Sequence, residues 1–169
     1  MKPEANEYAP YYGRYIDLVP EEELVGAAER QGRETAALLA GIGEEKAAYR
    51  YAPDKWSIKE VVGHVTDAER VFAYRVMAIA RGEQQPLPGF DEKEWMRYAG
   101  FDARPFADVV EDLTATRRAT LALLRSLPAD AWTRTGTASG NPVSARALAY
   151  TLLGHERHHV RVLRERYLG

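Results

Sequence analysis

The chain has 169 residues, enough for one domain with a substantial core. Hydrophobic residues make up 46% and charged residues 28%, and a formal net charge of -2 argues against general affinity for nucleic acid or an anionic membrane. The absence of cysteine excludes disulfides, zinc–cysteine sites and a protein thiol nucleophile.

In chain order, the N-terminal stretch MKPEANEYAPYYGRY lacks the apolar core of a signal peptide. No later stretch approaches the ~18 apolar residues that span a bilayer. The expectation is a cytoplasmic protein folded as a single domain over residues 1–169. A first helix is predicted from about Glu21 to Ile42, where Leu24, Ala28, Gln31, Thr35, Leu38 and Ile42 recur at steps of three and four. Pro20 is expected to open it and Gly43 to close it.

The second helix has the clearest start signal. Ser57-Ile58-Lys59-Glu60 reads as a capping box, and Trp56 with Val61 as a hydrophobic staple. Its apolar face runs through Ile58, Val61, Val62, Val65, Phe72, Val76 and Ile79, with Gly82 as the stop. A long connection follows over residues 82 to 104, broken by Pro86, Pro88 and Gly89. Within it, Asp91 to Tyr98 reads as a short helix with Trp95 covering an end of the core. A connection of that length can carry the chain the full length of a bundle, leaving helices two and three parallel.

The third helix is predicted from about Pro105 to Leu127, with Phe106, Val109, Val110, Leu113, Leu123, Leu124 and Leu127 on its core face. Residues 133 to 142, TRTGTASGNP, read as a polar turn. The fourth helix runs from about Val143 to Tyr167. No strand pattern competes with these four, so the expected fold class is all-α, a four-helix bundle with a long crossover between helices two and three.

Three of the four histidines fall within five residues, His155-Glu156-Arg157-His158-His159. His155 and His159, spaced i, i+4, share one helix face. They fall in the middle of the apolar stripe formed by Leu148, Thr151, Leu152, Val162 and Leu163, and His158 falls toward its edge. Buried imidazoles need partners, and a metal satisfies both. On the second helix, His64 flanks the stripe in line with Ala68, Val71 and Arg75. Together His64, His155 and His159 make a candidate metal site, and three protein ligands with open positions mark a metal that does chemistry. His158 is the alternative ligand.

The segment also matches H-E-x-x-H, with Glu156 as general base of a metalloprotease. That reading ranks lower: the longer zinc-protease form does not fit HERHHVRVLRE, and no strand is predicted to hold an extended peptide. Other candidates have plainer roles. Asp67 reads as solvated rather than orienting a ligand, Glu69 and Arg70 as surface charges or part of a polar network, and Arg75 as half of a structural ion pair rather than a contact for an anionic substrate. Tyr74, Trp95 and Tyr150 read as core aromatics rather than pocket walls. No catalytic residue is assigned.

The stretches YAPDKWSIKEVVGHVTDAERVFAYR and LLGHERHHVRVLRERY, with the linker LPGFDEKEW, resemble the DinB/YfiT-like family of metal-binding four-helix bundles. The resemblance runs from about Tyr15 onward and places the family's metal triad on His64, His155 and His159. It implies a divalent metal such as zinc or nickel, a homodimer and a small-molecule substrate. It further implies a small-thiol-dependent S-transferase, in which a low-molecular-weight thiol serves as cosubstrate. The alternatives are a metal-dependent hydrolase and a non-catalytic metal-binding stress protein.

Overall fold

Helix-start chemistry sets the frame of the computed structural model, which describes residues 2–169; Met1 lies outside them. The helices are α1 (Pro10–Ile16), α2 (Leu24–Ala40), α3 (Glu44–Ala47), α4 (Ile58–Ala80), α5 (Glu92–Ala99), α6 (Phe106–Ser126) and α7 (Ala145–Val162). A π-helical turn, Leu163–Leu168, continues α7. The Ser57 box closes as expected: Glu60 N donates to Ser57 Oγ at 3.1 Å, and Ser57 N donates to Glu60 Oε2 at 2.9 Å. The start of α2 differs from expectation. Glu23, not Pro20, caps it, its carboxylate accepting from the amides of Val25 and Gly26. The helix stops at Gly41, and Gly43 instead precedes α3.

The bundle is built from α2, α4, α6 and α7. Helix α4 packs on both α6 and α7, and α2 packs on the same two. At one end Phe72, Val76 and Ile79 of α4 share a core with Leu124 of α6 and Leu148 and Leu152 of α7. At the other, Val61, Val62 and Val65 share one with Val109, Leu113 and Leu163. Rising numbers on α4 therefore meet rising numbers on α6 and falling numbers on α7. So α4 and α6 are parallel, which the long crossover between them makes possible.

The crossover is tied down at both ends. Leu87 N donates to Thr137 O at 2.9 Å, and Ser139 N donates to Leu87 O at 3.0 Å. Further on, Lys59 Nζ on α4 donates to Arg104 O at 2.7 Å. Trp95 does not cover the core: it is 46% exposed and lies against Phe90, and Met96 is the buried residue of α5.

The polar turn expected at 133–142 is a β-hairpin. Strand β1 (Thr135–Ala138) pairs antiparallel with β2 (Asn141–Ser144). Ser139 and Gly140 take φ of 51° and 76°, the left-handed pair that a two-residue hairpin loop requires. Four-residue strands are too short to show alternation, which is why the sequence reads only as a loop.

Helix α1 packs along α7, and one residue permits it. A Cβ on Gly154 would sit 1.9 Å from the carbonyl oxygen of Tyr15. Alanine favours a helix interior over glycine by about 0.5–1 kcal/mol, but a clash with fixed backbone outweighs that. Gly154→Ala should lower stability by about 1–3 kcal/mol net, the usual cost of overpacking. An unchanged urea midpoint would show that α1 yields without cost.

A second tether holds the N-terminal segment. Glu7 accepts from Ser144 Oγ at 2.6 Å and from Arg146 Nε at 2.7 Å. Burial raises the Glu7 carboxyl, but the bonds from Arg146, Ser144 and the Glu4 amide outweigh it and hold the pKa at about 2. A depressed carboxyl contributes stability above its unfolded value and loses it as pH falls toward the folded one. Acid titration of stability from about pH 5 to pH 2 should thus remove about 1–3 kcal/mol in wild type beyond what Glu7→Gln loses. Parallel acid profiles for the two proteins would contradict this.

Candidate metal centre

At mid-height all four bundle helices turn polar together. Gln31 and Thr35 on α2, His64 and Glu69 on α4, Arg117 and Thr120 on α6, and His155 and Glu156 on α7 are buried between the two apolar cores. The layer divides into an ion network on one side and imidazoles on the other.

In the network, the Arg117 guanidinium donates to both Glu69 oxygens at 2.8 Å and to Ala28 O at 3.2 Å. It also donates to Glu156 Oε2, which accepts a second bond from Gln31 Nε2. Arg157 extends the network, with Nε donating to Gln31 Oε1 at 2.6 Å and Nη2 to Glu21 Oε1 at 2.8 Å. Burial alone would lower the Arg117 pKa; Glu156 and Glu69 together push it well above its ordinary value. Glu156 is 2% exposed and committed to this network, so the metalloprotease reading fails: its carboxylate does not face the histidines' cavity.

On the other side, His64, His155 and His159 converge, each offering one ring nitrogen within 4.8 Å of the others. His64 Nε2 lies 3.2 Å from His155 Nε2. Ring centroids are separated by 5.0 Å for His64–His155, 4.8 Å for His64–His159 and 4.5 Å for His155–His159. Burial lowers the His64 pKa to about 4 against a small opposing effect of Glu92, and burial with the neighbouring imidazoles lowers that of His155 to about 3. His159 falls well below its ordinary value for the same reasons. Three imidazoles neutral at pH 7, with nitrogens converging, form a donor set that could hold a divalent metal. His158 stays outside the cluster, its ring 5.1 Å from that of His159 and 5.8 Å from that of Tyr15.

The cluster lies in the wall of a cavity of about 310 Å³. Beside Ala68 and Phe72 of α4, walls come from segments that the helical periodicity did not implicate. Helix α1 contributes Tyr11, Tyr12 and Tyr15, with Tyr15 5.4 Å ring to ring from His155. The crossover contributes Phe90 and Glu92, and the hairpin Ser139. Burial, with Tyr11 beside it, raises the Tyr15 phenol to about 12, so it remains a neutral wall and proton donor. The available signal was local: Pro10 ahead of Tyr11, Tyr12 and Tyr15 is a helix start followed by aromatics on one face.

Trp56 also lines the cavity, its ring 4.9 Å from His64. Arg75 does too, but not as the expected ion pair. Its Nη2 donates to Pro88 O at 2.7 Å and Ser139 Oγ at 3.0 Å. Asp67 pairs with the exposed Arg70. Tyr74 is 52% exposed, and Tyr150 is buried with its hydroxyl donating to Glu21 O at 2.7 Å. Neither lines this cavity.

A glycine precedes a histidine on each helix. A Cβ on Gly63 would lie 2.4 Å from the Phe101 ring, as Gly154 would meet Tyr15. Both allow a wall-bearing segment to approach the bundle beside a histidine.

A bundle with two parallel central helices, a crossover, and histidines from two helices at its middle is a defined class of protein. The DinB superfamily model matches residues 27–163, and the chain belongs to that superfamily. The fold is similar to that of YfiT from Bacillus subtilis, described as a probable metal-dependent hydrolase with an unusual four-helix bundle topology. The TM-score is 0.70 at 17% identity, over 98% of this chain and 90% of that one. It is also similar to the mycothiol-dependent maleylpyruvate isomerase, with a TM-score of 0.67 at 17% identity. That match covers 86% of this chain and 61% of the isomerase, less than two thirds of its length. At this identity the two likenesses show a shared fold. No curated protein sequence matches the chain.

Proposed function

We propose that the protein is a metal-dependent enzyme that joins a small thiol to a small electrophile, with His64, His155 and His159 as the metal ligands. The observation that carries this is the convergence of three imidazoles on a cavity in a chain with no cysteine. A divalent cation there, zinc or nickel, would supply Lewis acidity toward a cosubstrate thiol. The chain's own part is to hold and orient. The histidines fix position, Trp56, Phe72 and the α1 tyrosines wall the cavity, and Tyr15 offers a phenolic proton beside His155. Hydrolysis is the second reading, favoured by the description of YfiT. The proposal takes the protein as a cytoplasmic homodimer acting on small molecules; among the described residues no helix is long and apolar enough to cross a membrane.

The test incubates metal-loaded protein with an activated chloroarene, with and without cysteine or 2-mercaptoethanol, and His155→Ala as control. Thioether formation with chloride release, dependent on His155, is the expected result. Chloroarene or ester hydrolysis without thiol would favour the hydrolase. No turnover with full metal occupancy would leave a binding role.

A further inference from the structure

Three arginines are buried: Arg75, Arg117 and Arg146, at 2%, 5% and 8% exposure. Arg117 has Glu69 and Glu156, and Arg146 has Glu7. Among the described residues, Arg75 has no carboxylate in ion-pair contact, although it too is buried. A buried cation without a counter-ion is costly. Its Nη2 donates to two neutral oxygens and the Tyr12 phenol is a third neutral hydrogen-bond partner, so no anion meets its five-donor fork. The Tyr12 phenol lies beside it, and the Phe72 and Phe90 rings lie 6.0 Å and 5.7 Å from Cζ. Burial pulls its pKa below the ordinary value, yet an arginine remains charged at neutral pH.

This cation faces the histidines' cavity and, among the described residues, is the only Lys or Arg lining it, with Glu92 the one carboxylate. The Phe72 ring stands between them, 5.8 Å from the His155 ring and 6.0 Å from Arg75 Cζ. A single guanidinium edge matches a planar monoanion in bidentate contact. A phosphate dianion would leave charge uncompensated.

We propose that Arg75 is the specificity residue of this cavity and selects substrates bearing a carboxylate, held beyond the Phe72 ring from the group that meets the histidines. The inference rests on the reading of that cavity as a substrate site and deepens it.

Benzoate and its neutral isostere benzamide are the probes, titrated by calorimetry into the full chain as purified and after chelator treatment. Wild type should bind benzoate about tenfold or more tighter than benzamide. Arg75→Gln should weaken benzoate to the level of benzamide and leave benzamide and metal content unchanged. The preference should persist without metal, so the result is readable even if the metal reading fails. A preference surviving Arg75→Gln, or equal loss of both probes, overturns the proposal; the second would be a structural clamp. Should Arg75→Gln not fold, wild type carries the test through phenylglyoxal labelling. Benzoate, not benzamide, should protect Arg75 from modification, and equal labelling with either probe overturns the proposal.

Discussion

Arg117→Met should destabilise the protein by about 3–5 kcal/mol, a large share of the ~5–15 kcal/mol typical of a whole domain. The substitution roughly preserves volume, so cavity formation is not the cause. It strips the counter-charge from two carboxylates, Glu69 and Glu156, each 2% exposed. It also removes the donor to Ala28 O. Glu156 keeps only the Gln31 amide as a partner. The comparison that isolates charge is the triple variant Arg117→Met, Glu69→Leu, Glu156→Leu. Replacing a whole buried ion cluster by apolar residues is often neutral, so the triple variant should be more stable than the single. Urea midpoints for the three proteins check this. A single variant within about 1 kcal/mol of wild type would mean that water reaches the network.

His155→Ala should abolish stoichiometric metal binding, whereas His158→Ala should leave it nearly intact. The two positions are three apart on one helix, and both border the cavity. Only His155 places a ring nitrogen within the 4.8 Å cluster. Losing one of the three proposed ligands should weaken affinity by far more than the ~10–100-fold typical of residues behind the ligands. Metal content after dialysis, followed by competition with a chromophoric chelator, gives both numbers. Metal lost on His158→Ala and kept on His159→Ala would overturn the ligand assignment.

What was legible in the sequence was what a single helix encodes. The i, i+4 spacing of His155 and His159 needs no tertiary knowledge, and the Ser57 box is written in four consecutive residues. The length of the crossover left room for α4 and α6 to run parallel, and the packing shows that they do. What stayed hidden depends on segments far apart in sequence meeting. Helix α1 reaches the cavity because Gly154, well over a hundred residues later, leaves room for the Tyr15 backbone. Between a structural ion pair and an anionic ligand the sequence favoured the pair for Arg75, and only the packed bundle reveals that, among the described residues, no carboxylate makes it. Glu156 sits inside a protease-like motif, and only the packed bundle reveals that its carboxylate faces Arg117.

The mid-height polar layer also acts as a vernier. Sliding α4 by one turn past α7, about 5.4 Å, would move His64 away from His155. The same slide would draw Glu69 away from Arg117 and set charge against the apolar ends of the core. One displacement thus breaks both arrangements, and the ion network penalises the slip that would scatter the imidazoles. A uniformly apolar interior could match the stability of this one and still allow neighbouring helices several seatings. The charges beneath the histidines single out the seating in which three nitrogens meet.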